Sequence, residues 1–179
     1  QGLGCAVESG VAVCERCPEG RFPAGEYGQC AAIPGTKVSH DFGAVSLKAG
    51  QELDGVCQSW VLGNTEPLYV NAVELVSSGG YHHSNWFFVP AEVAEERNYE
   101  TGTWKNCYKT GFHEIDAATA GGVVFAQSTQ VDREVQKFRE GAVVRIPPNV
   151  WIMGSTHLLN VYPEPKDVEL QLHLYTIPT

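Results

Sequence analysis

Six cysteines, Cys5, Cys14, Cys17, Cys30, Cys57 and Cys107, constrain this chain more than any other feature, because four of them fall within the first 30 residues. That segment is rich in Gly and Pro and poor in large apolar groups. It cannot bury enough surface to fold by itself, and covalent staples are the usual remedy. Cys14-x-x-Cys17 also invites a zinc or redox reading. Zinc would need a second Cys-x-x-Cys or His-x-x-His pair and a thioredoxin-like motif a βαβ surround, and neither is found. The four early cysteines are therefore expected to pair among themselves, as Cys5–Cys14 with Cys17–Cys30 or in a crossed arrangement. Six cysteines beside a single Met suit an oxidising place outside the cytoplasm, whether secreted, extracellular or periplasmic. Gln1 then reads as a mature N-terminus left by signal-peptide removal, or equally as an arbitrary boundary.

The cysteine distribution divides the chain into a disulfide module over 1–33 and a larger domain over 34–179. In the module, Pro18-Glu19-Gly20 and Pro23-Ala24-Gly25 punctuate turns and little periodicity is seen. Its phrase CERCPEGRFPAGEYGQC resembles the short CxxCPxG and EGF-like repeats of extracellular proteins. Beyond residue 34 the pattern becomes short strands between turns: 44–49, 55–62, 68–77, 81–89, 122–128, 142–146, 150–162 and 168–177. Each is rich in Val, Leu, Ile, Trp and Tyr, and the alternation is clearest in Glu169-Leu170-Gln171-Leu172-His173-Leu174. Only 91–97 looks helical, and 98–120 reads as a long connection tied down at Cys107. Many short strands at near-regular spacing predict an all-β fold, an antiparallel β-sandwich or jelly roll behind a small N-terminal cysteine-rich module.

Charge and hydropathy narrow the function. The formal net charge of -9, with no basic run, repels phosphate backbones and anionic lipid, so nucleic acid is not expected as a partner. No apolar stretch approaches the roughly 20 residues of a transmembrane segment. Hydrolase, zincin, P-loop and dinucleotide fingerprints are absent. Ser155 and His157 lack an identifiable acid partner and oxyanion hole, and Glu92, Glu95 and Glu96 read as a solvated charged stretch. No catalytic residue is assigned.

The histidines are the remaining chemistry. Copper and zinc take neutral imidazole, so His82-His83 stands out. Adjacent side chains on a regular strand point to opposite faces, and such a pair cannot close on one ion. A bulge or a strand start would change that, and Gly79-Gly80 just upstream supply the backbone freedom. His157 sits in Trp151-Ile152-Met153-Gly154-Ser155-Thr156-His157-Leu158, where small neighbours leave room for a ligand or water. His113, in Gly111-Phe112-His113-Glu114, is a reserve ligand. His40 reads as a surface residue in a loop, and His173 as a solvated strand residue. Met153 lies four residues from His157, roughly 13 Å along a regular strand, so it packs in the core and does not share an ion with His157.

A family resemblance supplies what spacing leaves open. Leu68–Leu75 followed by Tyr81-His82-His83-Ser84-Asn85-Trp86-Phe87-Phe88 resembles the His-His strand of the copper type II, ascorbate-dependent monooxygenases. That family includes the peptidylglycine α-hydroxylating and dopamine β-monooxygenases. The likeness continues through Gly122–Gln127, Gly141–Ile146 and Trp151–His157 to Leu170-Gln171-Leu172-His173-Leu174, covering about residues 50–177. It implies a metal site of His82, His83 and His157 holding one copper per chain, with zinc second, and a Cys57–Cys107 disulfide.

The family uses two domains and two coppers, and only the first domain's pattern is present here. The His-x-His pair and the well-placed Met of the second site are missing. The expected function is therefore extracytoplasmic copper carriage, storage or single-electron transfer, with a redox or copper-delivery protein as partner. An oxygen- or peroxide-active oxidoreductase that borrows a second domain or subunit is the alternative. A non-catalytic adhesion or recognition domain is the third.

Overall fold

The structure, a computed structural model, describes residues 3–9, 11–24, 28–99, 102–127 and 130–178. Gln1, Gly25 of the second expected turn and Ser128 at the end of one expected strand lie outside them.

The cysteine-rich segment forms two antiparallel hairpins. In the first, β1 (Leu3–Glu8) pairs with β2 (Val11–Arg16); in the second, β3 (Arg21–Ala24) pairs with β4 (Gln29–Ala32). Cys5 and Cys14 lie directly opposite one another and are bonded, and Cys17 is bonded to Cys30. The Cys14-x-x-Cys17 motif is thus split between two disulfides. Gly4 makes room for the second staple, since a Cβ there would meet the Cys30 Sγ at 2.1 Å.

Ten further strands form two sheets. They are β5 (Thr36–Leu47), β6 (Glu52–Val61), β7 (Leu68–Ser77), β8 (Tyr81–Pro90), β9 (Gly102–Asn106), β10 (Gly122–Gln127), β11 (Arg133–Lys137), β12 (Val144–Ile146), β13 (Val150–Leu159) and β14 (Lys166–Thr176). One sheet runs β10-β8-β13-β6-β9; the other runs β11-β7-β14-β5, with β12 also on β7, and every pairing is antiparallel. With β9 and β12 set aside, the chain changes sheet at every connection but the one from β8 to β10. That is the jelly-roll path of two Greek keys.

The inner faces meet in one core. Phe42, Val70, Leu75, Leu170, Leu172 and Leu174 come from one sheet; Trp60, Trp86, Phe125, Ile152 and Leu158 come from the other. The alternating leucines of β14 supply a continuous row, as their period of two requires. Gly154 lies opposite Trp86, and the fully buried indole occupies the space a Cβ at 154 would need.

Several expectations are corrected. The segment 98–120 is no plain connection: it carries β9, a 3₁₀ turn over Cys107–Lys109 and a helix, α2 (Glu114–Ala120). With α1 (Ala91–Glu96), it covers the outer face of the β8–β13 sheet, where Phe87, Val89, Trp151 and Met153 meet Tyr99, Phe112 and Ala117. Short, polar elements of this kind leave too little periodicity to read. β5 begins eight residues before its expected start; Asp41, which accepts a hydrogen bond from the Gly43 N–H (2.7 Å), and Gly43 give a turn-like signal that here marks a bulge inside the strand. β11, with the sequence REVQK, is charged enough to pass for loop.

The outer face of the second sheet is covered as well. Glu74 of β7 is fully buried and accepts from the Arg133 Nε (2.5 Å), the Tyr175 hydroxyl (2.5 Å) and the Gly20 N–H (3.1 Å). Arg133 also donates to the carbonyls of Cys17 and Arg21. One carboxylate and one guanidinium thereby tie the disulfide hairpins to the sheet. His173, opposite Glu74 in the register, lies under this cover at 2% exposure. Its alternation away from the leucines is as expected, but the solvated reading fails because the hairpins occupy the place of water.

Candidate metal centre

The centre sits where three strands lose register together. β13 runs without interruption through His157, whereas both neighbours carry one extra residue at its level. Opposite His157 and Leu158, β8 offers His83 and then Tyr81, skipping His82. Opposite Thr156 and Leu158, β6 offers Val56 and then Leu53, skipping Asp54 and Gly55. Gly55 has φ +64°, a conformation that favours glycine. Tyr81 and Trp86 both reach the inner core, although a regular strand would send residues 81 and 86 to opposite faces. The bulge therefore frees His82 to join His83 on the outer face. Gly79 and Gly80, with φ +109° and +69°, bring the chain into the strand immediately before it.

The result is a convergence of ring nitrogens. His82 Nδ1 lies 3.1 Å from His83 Nδ1 and 3.3 Å from His157 Nδ1. The three rings stand with centroids 4.7–4.9 Å apart and steeply inclined to one another. The ligand atoms of all three fall within 4.8 Å of each other, a group able to hold a metal ion. An Nδ1 carries one proton or one lone pair, so His82 cannot make two good hydrogen bonds to the other two Nδ1 atoms. A cation between the rings would offer each of them a partner. Imidazole nitrogens about 2.0–2.1 Å from a tetrahedral ion stand about 3.3–3.4 Å apart, close to the spacings seen here.

Electrostatics favour a neutral ring at His83. Partial burial holds the His83 imidazole below its ordinary pKa, and the neighbouring His157 and His82 add to the effect. On the far side of His157, Nε2 lies 2.7 Å from Glu52 Oε1.

A cavity of about 310 Å³ opens beside the histidines, bounded by His83, His157, Asp54, Tyr108, Glu114 and Cys107 among others. The Asn85 amide donates to Glu114 Oε2 (3.1 Å), linking β8 to α2 across one wall. Cys57 of β6 is bonded to Cys107, which anchors the covering segment at this edge. The Tyr108 ring lies over Gly55, where a Cβ would meet it at 2.6 Å.

The structure thus brings together His82, His83 and His157. His113 is exposed at the cavity rim before α2 and does not join the converging nitrogens. His40 is not a loop residue: it lies in β5, half-buried, stacked on Trp60 with ring centroids 5.1 Å apart. Met153 is buried in the cluster beneath α1 and α2. Glu92, Glu95 and Glu96 are exposed on α1. Sequence reasoning passed over Glu52 and the Asp54-Gly55 bulge. The only available signal was an Asp-Gly pair inside a strand-like run, which marks a bulge as readily as a turn.

Compared with known proteins, the chain matches no protein-family profile and no curated protein.

Proposed function

We propose that this chain is an extracytoplasmic protein holding one copper ion through His82, His83 and His157, for copper carriage, storage or single-electron transfer. The observation that supports this reading is the convergence of three imidazoles, in which the one proton or lone pair of His82 Nδ1 faces two other ring nitrogens at 3.1 and 3.3 Å. Three imidazoles suit copper and also zinc; the resemblance to the first domain of the copper type II monooxygenases favours copper. Three disulfides, with no free cysteine among the described residues, favour an oxidising compartment. No helix is long and apolar enough to cross a membrane among the described residues. A redox or copper-delivery protein is the partner this reading calls for.

The cavity beside His83 and His157 favours a second reading, an oxygen- or peroxide-active centre, because it leaves room for a small molecule next to the ligands. The pattern of a second copper site is missing from the sequence, so this reading needs a second domain or subunit. Two measurements test the pair. Equilibration with equal copper and zinc should leave copper bound, and a chain that retains zinc alone overturns the copper assignment. Oxygen consumption with ascorbate should be no faster than with free copper if the protein is a carrier; faster turnover establishes the second reading.

A further inference from the structure

We propose that Glu52 is a positioning residue of the metal centre, holding His157 in the tautomer that presents a bare Nδ1 and strengthening that nitrogen as a donor. The inference rests on the metal reading above.

A neutral imidazole has one proton for two nitrogens, and its partner decides which one keeps it. Glu52 Oε1 lies 2.7 Å from His157 Nε2, and an ionised carboxylate only accepts, so Nε2 is the donor. The lone pair is then left on Nδ1, the atom 3.3 Å from the His82 Nδ1. Glu52 reaches this position because of the extra residue in β6. It pairs with Leu159, two positions beyond His157 and on the same face of β13. Without the slip, Leu53 would take that place and Glu52 would turn to the core side. The bulge at Asp54-Gly55 thus places the carboxylate, as the bulge at His82 places the second ligand.

A carboxylate behind an imidazole fixes the ring's orientation and raises its basicity. A stronger donor favours the more highly charged ion, so Glu52 should support Cu(II) more than Cu(I). Glu52 itself is not one of the three converging donors; it meets His157 at the ring nitrogen opposite Nδ1.

The test uses the whole chain as wild type, Glu52→Gln and Glu52→Ala. In the metal-free protein, ¹⁵N shifts of the His157 ring report the tautomer. The wild type should show a protonated Nε2 and bare Nδ1. Glu52→Gln should keep this state through its amide oxygen, and Glu52→Ala should mix the two tautomers. By competition with chelators, Cu(II) should bind about 10-fold to 100-fold more weakly in Glu52→Ala, with Glu52→Gln between and Cu(I) less affected. An unchanged His157 tautomer in Glu52→Ala, or Cu(II) affinity within about 2-fold of wild type, overturns the proposal. A wild type that binds no copper overturns the metal reading instead, while the tautomer measurement still decides the Glu52 contact.

Discussion

His82 and His83 are consecutive in β8, yet their Nδ1 atoms lie 3.1 Å apart on the same side of the sheet. One unpaired residue in the ladder is responsible. It rotates His82 out of the alternation that would bury it among the core side chains and aims it at the ring of His157. The two histidines should therefore contribute as separate ligands to one ion. His82→Ala and His83→Ala are each expected to weaken metal binding by at least about 100-fold, since a structural site's affinity is divided among few donors. The melting of the metal-free variants should change little. Titration of each variant against a chelator of known affinity checks this.

Gly154 and Trp86 pack tightly in the core behind the centre, with a Cβ at 154 only 2.5 Å from the indole. Gly154→Ala should cost about 1–3 kcal/mol by overpacking, and more if the indole cannot shift. Urea unfolding at neutral pH reads this directly; an unaltered midpoint would mean the indole moves freely.

The Cys57–Cys107 disulfide pins the segment that walls the cavity. Replacing both cysteines by Ser should lower stability by about 2–5 kcal/mol. Hydrogen exchange in residues 104–120 should rise more than in β7 or β14. Uniform acceleration across the chain would show that the staple stabilises the fold without acting locally.

Glu74 carries the attachment of the hairpins. Glu74→Ala leaves the Arg133 guanidinium and the Tyr175 hydroxyl without their buried acceptor, at a cost of about 3 kcal/mol. Proteolysis should then cut within residues 1–33 well before the sandwich unfolds. Simultaneous digestion of both parts would contradict this division of labour.

Acid sensitivity follows from the buried histidines. Burial holds His173 below the ordinary imidazole value of 6.5, with Lys37 adding to the effect and Glu74 and Glu19 opposing it; His40 and His83 are lowered chiefly by burial too. Below about 6.5 the unfolded chain binds protons that the folded chain does not, so stability falls as pH drops through that window and recovers above it. The metal-free protein should unfold at lower urea at pH 5.5 than at pH 7.5, and His173→Gln should reduce the difference. Equal midpoints at the two pH values would refute the assignment.

The sandwich was legible because the leucines of β14 keep a period of two, and β7, β8 and β13 are short runs rich in Val, Leu, Phe and Trp between turn signals. Tyr81-His82-His83 was readable as a conditional statement: the pair needs a bulge or strand start, and the structure supplies both. His157 came from a family likeness, since nothing in its local pattern distinguishes a ligand from any strand histidine. The pairing partners of β6 and β8 set its surroundings, and those contacts lie 75 and 105 residues away in sequence. Glu52 was invisible for the same reason. Buried Glu74 and His173 were missed because a sheet's second face can be covered by a module whose docking surface is polar.

Metal analysis of the purified chain after loading and desalting tests the central claim most directly. One copper per chain is predicted, with nitrogen hyperfine structure in the Cu(II) spectrum, and none in the variant carrying His82→Ala, His83→Ala and His157→Ala together. Copper retained at full stoichiometry by that triple variant would contradict it.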